Sequence, residues 1–212
     1  GHVNWKSEGA GKLSGRFKSL SIPPEAPPKL SKPDTAVEST EYPSLDIIAE
    51  NFSIRNNQLG QLELLAAPSG RDWRINKLKL TTPETSLSLD GVWQDWLQQP
   101  RSQFNLQLET SDIGKLLARV GHPDSVKGGK ALLKGQLSWN GNPAEIHYPS
   151  LNGNMSLEAH RGQFLKIEPG LGKLLGILSL QALPRRITLD FRDVFSDGFA
   201  FDDISMNAKA SH

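Results

Sequence analysis

Cysteine is absent from all 212 residues. Disulfides, thiolate zinc sites and cysteine nucleophiles are therefore excluded together, and the composition suits a periplasmic chain as well as a cytosolic one. A dominant charge is missing too. The 24 basic and 23 acidic residues are spread along the chain and leave a net charge of +1, so no electrostatic footprint for nucleic acid is present. No secretory leader and no run of eighteen apolar residues occurs, the length a membrane-spanning helix needs. The chain opens directly on strand-like pattern, and the expectation is a piece of something longer whose anchor lies elsewhere.

Catalytic motifs are equally scarce. Gly9, Gly11 and Lys12 imitate part of a phosphate loop, but Lys6 stands where the first glycine belongs and Leu13 where a magnesium-holding hydroxyl belongs, so a turn is expected. No nucleophile elbow exists, and Ser138 falls in the middle of a strand pattern, where its hydroxyl is expected to face water. His122, His147 and His160 lack the i, i+4 spacing that sets two ligands on one helix face. Asp190, Asp193, Asp197, Asp202 and Asp203 gather near the C-terminus without the spacing of a calcium loop, and turn duty or pairing with Arg185, Arg186 or Arg192 accounts for them. Asn51 and Asn154 match the glycosylation sequon, but inside strand pattern. No enzyme, metal site or cofactor is expected.

What the chain has is a period of two. Phe104, Leu106 and Leu108 alternate with Asn105 and Gln107; Leu133, Leu137 and Trp139 recur at even spacing around Gly135; Met155, Leu157 and Ala159 do the same. This is the pattern of strands with one dry and one wet face, as in antiparallel sheets. Further strands are expected over residues 12–21, 45–55, 61–66, 73–80, 87–93, 187–191 and 199–208, punctuated by Asn56-Asn57, Pro68-Ser69-Gly70, Asn140-Gly141-Asn142-Pro143, Asn152-Gly153 and Asp197-Gly198. About ten strands at this spacing form one extended antiparallel meander across a single domain, residues 1–212. Residues 22–42 are low in apolar content and rich in proline, which reads as a mobile or extended loop between strands.

Two segments leave the β pattern. Ser111 or Asp112 caps a helix whose stripe is Ile113, Leu116, Leu117 and Val120, ended by Gly121 and Pro123, and it suits the open end or one face of a sheet. Residues 171–183 form a second, nearly all-apolar helix stopped by Pro184, about 20 Å long and too short to span a bilayer. Leu171, Leu174, Leu175, Ile177 and Leu178 share one face, and Leu180 and Leu183 lie nearly opposite. Either that second face meets lipid tails, a membrane or a partner, with Lys173, Arg185 and Arg186 placed for headgroups, or the helix plugs the sheet as ordinary core.

The stretch from Gly162 to Asp202, with Gly170, Gly172, Pro184-Arg185-Arg186 and Phe191-Arg192-Asp193, resembles the C-terminal signature of the YhdP branch of the AsmA-like superfamily. Asp112 to Gly121, Gly128-Gly129-Lys130-Ala131, Gly135 to Trp139 and Leu151-Asn152-Gly153 follow the same order upstream. The resemblance implies the periplasmic, outer-membrane-facing end of an inner-membrane-anchored envelope protein of Gram-negative bacteria, similar to bridge-like lipid transfer proteins that carry phospholipid in a long β-groove.

The period of two agrees. Dry strand faces must pack on something, and a curled meander, a half-barrel, lines a trough where acyl chains gain about 0.8 kcal/mol per buried CH₂. Leu133, Leu137 and Trp139 are the lining residues expected to meet lipid beside the helix leucines, and Phe104, Leu106, Leu108, Met155 and Leu157 either join them or form plain core. Two other functions stay open. One is docking of an outer-membrane-side protein or membrane surface, as in outer-membrane biogenesis, through a free strand edge. The other is carbohydrate binding by Trp93, Asp95 and Trp96, for which no second carboxylate can be assigned.

Overall fold

The computed structural model describes residues 2–6, 11–23, 42–165, 198 and 200–210. Among these residues ten strands form one sheet in chain order: β1 (His2–Lys6), β2 (Lys12–Ile22), β3 (Ser44–Ile54), β4 (Asn57–Ser69), β5 (Asp72–Thr81), β6 (Thr85–Gln94), β7 (Arg101–Thr110), β8 (Val126–Asn140), β9 (Asn152–Phe164) and β10 (Ala200–Ala210). Among the described residues β1 and β10 are not joined and the sheet is not closed; it curls about its apolar face, so that the one helix touches both β8 and β4. Each strand grows where β-branched or apolar residues alternate with polar ones, and stops at residues suited to tight turns. Arg55 and Asn56 both take positive φ, 48° and 72°, the backbone of a two-residue hairpin turn.

One pairing departs from the expected antiparallel meander. β2 and β3 run parallel, with Lys12 opposite Ser44 and Ile22 opposite Ile54. An antiparallel partner follows a short turn, but a parallel one needs a connection long enough to return along the whole strand, and residues 23–43 supply that length. The proline-rich run expected as a loop between strands, residues 24–41 of it, lies outside the described residues. All other neighbouring pairs are antiparallel.

Of the two expected helices, the described residues contain one, α1 (Ile113–Arg119), together with a single 3₁₀ turn at Tyr148–Ser150. Asp112 is the cap of α1, its side chain accepting from the Lys115 N–H at 3.0 Å, and Gly121 follows the end with φ of 91°. α1 lies at the end of the sheet where β7 stops. Ile113 and Leu117 pack against Val126, Ala159, Phe164 and Phe201, and the helix reaches across to β4. The second helix, residues 171–183, and the strand expected over 187–191 fall outside the described residues.

Ser138 corrects an expectation. It is buried rather than facing water, and its hydroxyl accepts from Arg101 Nη2 at 3.2 Å. The neighbouring strand carries the arginine, so pairing across the sheet shields the hydroxyl in a way that one strand's alternation does not reveal.

Candidate functional site

Register turns the period of two into continuous apolar rows across the strands. One row runs Phe17, Ala49, Leu62, Leu80, Leu87, Leu108, Leu133, Leu157, Met206 from β2 to β10, each directly opposite the next. A second passes through Ile47, Leu64, Leu78, Leu89, Leu106, Gly135 and Met155, and a third through Leu45, Ala66, Ile75, Gly91, Phe104 and Leu137. At about 4.8 Å per strand a row over nine strands is roughly 38 Å long, and rows two residues apart lie roughly 6.7 Å from one another.

The rows are packed unevenly. Ala49, Leu62 and Phe52 are buried in one cluster, and Ala66, Ile75, Phe104 and Trp139 in another. In the same row Leu80, Leu87, Leu108, Leu133, Leu157 and Met206 are only half-buried. Among the described residues no second sheet covers them. Gly91 keeps this surface low: the Phe104 ring folds over it, and a Cβ there would sit 2.3 Å from Phe104 Cδ1 and 2.2 Å from the Gln103 carbonyl.

The opposite face is polar and tied across strands. Asn105 donates to Asp90 at 3.0 Å and accepts from Gln136 at 3.1 Å; His160 faces Asp203. Lys77 pairs with Glu63, and the lysine's hydrogen bond holds the Glu63 carboxyl below its ordinary value. One sheet thus presents polar side chains on one face and apolar side chains on the other.

The two margins of the trough differ. At the end opposite α1, Trp73, Trp93, Ser102 and Trp139 stand in one row. Tyr42 leans on Trp93 with ring centres 4.6 Å apart, Trp73 Nε1 donates to the Pro43 carbonyl at 3.1 Å and Trp139 Nε1 to the Asn142 carbonyl at 3.0 Å. At the helix end the Thr85 and Thr110 hydroxyls pair at 2.9 Å, and Arg119 of α1 pairs with Glu84. The Arg119 hydrogen bond is the leading reason the Glu84 carboxyl is held below its ordinary value.

Among the described residues the sheet is long and open, with one apolar face that no second sheet covers, and sequence comparison gives it a family. A family model described as "YhdP protein" matches residues 1–212. The chain belongs to the YhdP family. It is similar to the intermembrane phospholipid transporter YhdP of Escherichia coli (strain K12), 25% identical over 185 residues that cover 84% of this chain and 15% of that relative. The chain thus spans about a seventh of the relative's length. No solved structure matches it.

In this member of the YhdP family the structure brings Leu133, Leu137 and Trp139 onto one face of β8, with Phe104, Leu106, Leu108, Met155 and Leu157 beside them. They are not equivalent. Leu133 and Leu137 are half-buried floor, whereas Trp139 is packed against Phe104 with ring centres 5.4 Å apart. Leu171, Leu174, Leu175, Ile177, Leu178, Leu180, Leu183, Lys173, Arg185 and Arg186 lie outside the described residues. Of the carbohydrate candidates, Trp93 stands in the margin row between Trp73 and Ser102, and Trp96 gives its indole N–H to Asp72 at 2.8 Å while Arg71 stacks on its ring. Asp72 also receives Gln94, so these groups tie neighbouring hairpins together. Sequence reasoning missed Glu84 and Arg119, which are 35 positions apart and carry no local pattern.

Proposed function

We propose that this domain is a non-catalytic stretch of a lipid conduit, part of the periplasmic portion of an inner-membrane-anchored protein that moves phospholipid between the inner and outer membranes and supports the outer-membrane permeability barrier. The observation that carries the reading is the half-buried row Leu80, Leu87, Leu108, Leu133, Leu157 and Met206. The name of the Escherichia coli relative supports lipid as the cargo. A tail about as long as one leaflet's hydrocarbon is thick, ~15 Å, lies across about three strands of the row. Every methylene it keeps from water is worth up to about 0.8 kcal/mol. Because the row repeats from strand to strand, a tail sliding along it exchanges one leucine for the next and meets no large barrier. The chemistry is solvation, and no group needs to make or break a bond.

The test is a photoreactive benzophenone side chain placed at Leu133, on the floor, and at Lys134, on the wet face, in the full-length protein within a Gram-negative host. Phospholipid crosslinked from position 133 and not from 134 is the expected result. Equal labelling, or none at 133, refutes the conduit. A docking role has one observation in its favour, the outer edge of β10, which has no partner strand among the described residues; protein crosslinked along β10 with no lipid at 133 would establish it instead.

A further inference from the structure

A recess of about 720 Å³ opens at the helix end of β2 to β5, a size typical of small-molecule sites. Its walls are of two kinds. Leu20 and Phe52 belong to the apolar cluster that continues the trough floor. Ser21, Asn51, Gln61 and Thr81 line the rest with hydroxyls and amides, and Glu50 and Arg119 add one charge of each sign. The backbone explains the mixture. Register slips in β3 between Ala49 and Phe52 and again between Phe52 and Ser53, so the alternation that separates dry from wet fails at this place. Bulges re-aim side chains in this way, and they are frequent beside binding sites.

Arg119 is held ready for an anion. Its Nε donates to Glu84, whose side chain is only 8% exposed, while the arginine itself is 33% exposed. A guanidinium has five N–H donors, so four remain after Glu84 has fixed the plane of the fork, and phosphate matches that fork in pairs. Glu50 is exposed on the same recess. With Glu84 counted, two carboxylates stand against one guanidinium, a balance that disfavours a headgroup of net negative charge and suits one that carries its own cation.

We propose that this recess receives the zwitterionic headgroup of a phospholipid whose tails lie on the adjoining floor, with Arg119 meeting the phosphate and Glu50 the ammonium. The proposal rests on the conduit reading. It places the polar end of the cargo at the helix margin of the trough, so that the headgroup replaces its water with hydroxyls and amides while the tails stay on leucine.

The experiment uses the full-length protein with the benzophenone at Leu133 reporting tails, loaded from vesicles of phosphatidylethanolamine, phosphatidylglycerol or phosphatidylethanolamine doped with diacylglycerol. Wild type is expected to capture phosphatidylethanolamine in preference to phosphatidylglycerol. Arg119→Gln should lower capture of both phospholipids about tenfold, the loss of one charge-assisted pair, with Arg119→Lys retaining part. Glu50→Gln should erase the preference for the ethanolamine lipid. Diacylglycerol capture should not change in any variant. Glu50 is an exposed side chain, so its variant keeps the test intact if Arg119→Gln folds poorly. Tails captured at 133 with the same headgroup preference in all variants overturn the recess assignment and leave the conduit standing. No tails at 133 from any vesicle overturn both. Inorganic phosphate that raises the melting temperature of lipid-free wild type but not of Arg119→Gln assigns the recess to free phosphate and overturns the lipid source.

Discussion

Leu62 and Leu133 stand in the same apolar row, yet truncating them should have different consequences. Leu62 is 4% exposed and enclosed by Ala49 and Phe52. Leu62→Ala removes buried methyl and methylene groups and leaves a closed cavity, at a cost of about 3 kcal/mol. For a chain of this size that is a fall in melting temperature of roughly 6–12 °C. Leu133 is half-buried on a face that no second sheet covers among the described residues. Its truncation forfeits only about half the transfer energy and encloses no cavity, about 1 kcal/mol, or roughly 2–4 °C. On the conduit proposal the ranking for function is reversed: a bound tail would raise the melting temperature through mass action, and Leu133→Ala should shrink that gain while Leu62→Ala leaves it nearly intact. The assay is calorimetry of delipidated and phospholipid-loaded protein for wild type and both variants. If Leu133→Ala destabilises the lipid-free protein as much as Leu62→Ala does, position 133 is closed core and the open-trough argument is wrong.

Gly91→Ala places a Cβ 2.2 Å from the Gln103 carbonyl and 2.8 Å from Phe104 Cα. Backbone cannot step aside cheaply, so we expect a loss of about 1–3 kcal/mol, read as a lowered denaturant midpoint; an unchanged midpoint refutes the close packing of β6 on β7. Glu84 has its carboxyl held low by Arg119, so its contribution is present above the unfolded carboxyl value and disappears as pH falls through the folded one. The melting-temperature gap between wild type and Glu84→Gln should therefore be widest near neutral pH and close as acid protonates the wild-type carboxylate; a gap that persists in acid contradicts the pairing. Asp112→Ala removes the side chain that accepts the Lys115 N–H, which should cost about 1 kcal/mol and speed amide exchange within Ile113–Arg119 while the strand amides stay protected.

Alternation made the β class, the dry and wet faces, and the sharing of a face by Leu133, Leu137 and Trp139 legible from the residues alone, because side chains in a strand point to opposite sides whatever the partner is. Local rules also carried α1: Asp112, the apolar stripe and Gly121 act within a few residues of one another. The fate of Ser138 was not legible, since its burial depends on Arg101 of the neighbouring strand.

The sequence by itself therefore determined which residues of each strand are apolar and where the chain turns. Tertiary structure decided how those strands line up. Leu87, Leu108, Leu133 and Leu157 become one row only through register, β3 runs parallel to β2 only because the intervening segment is long enough to return, and Arg119 meets Glu84 beside the recess only because α1 crosses the end of the sheet. Each of these joins residues far apart in the chain, and contacts of that kind are set by the packing of the whole sheet and leave no mark in the local pattern from which a strand is read.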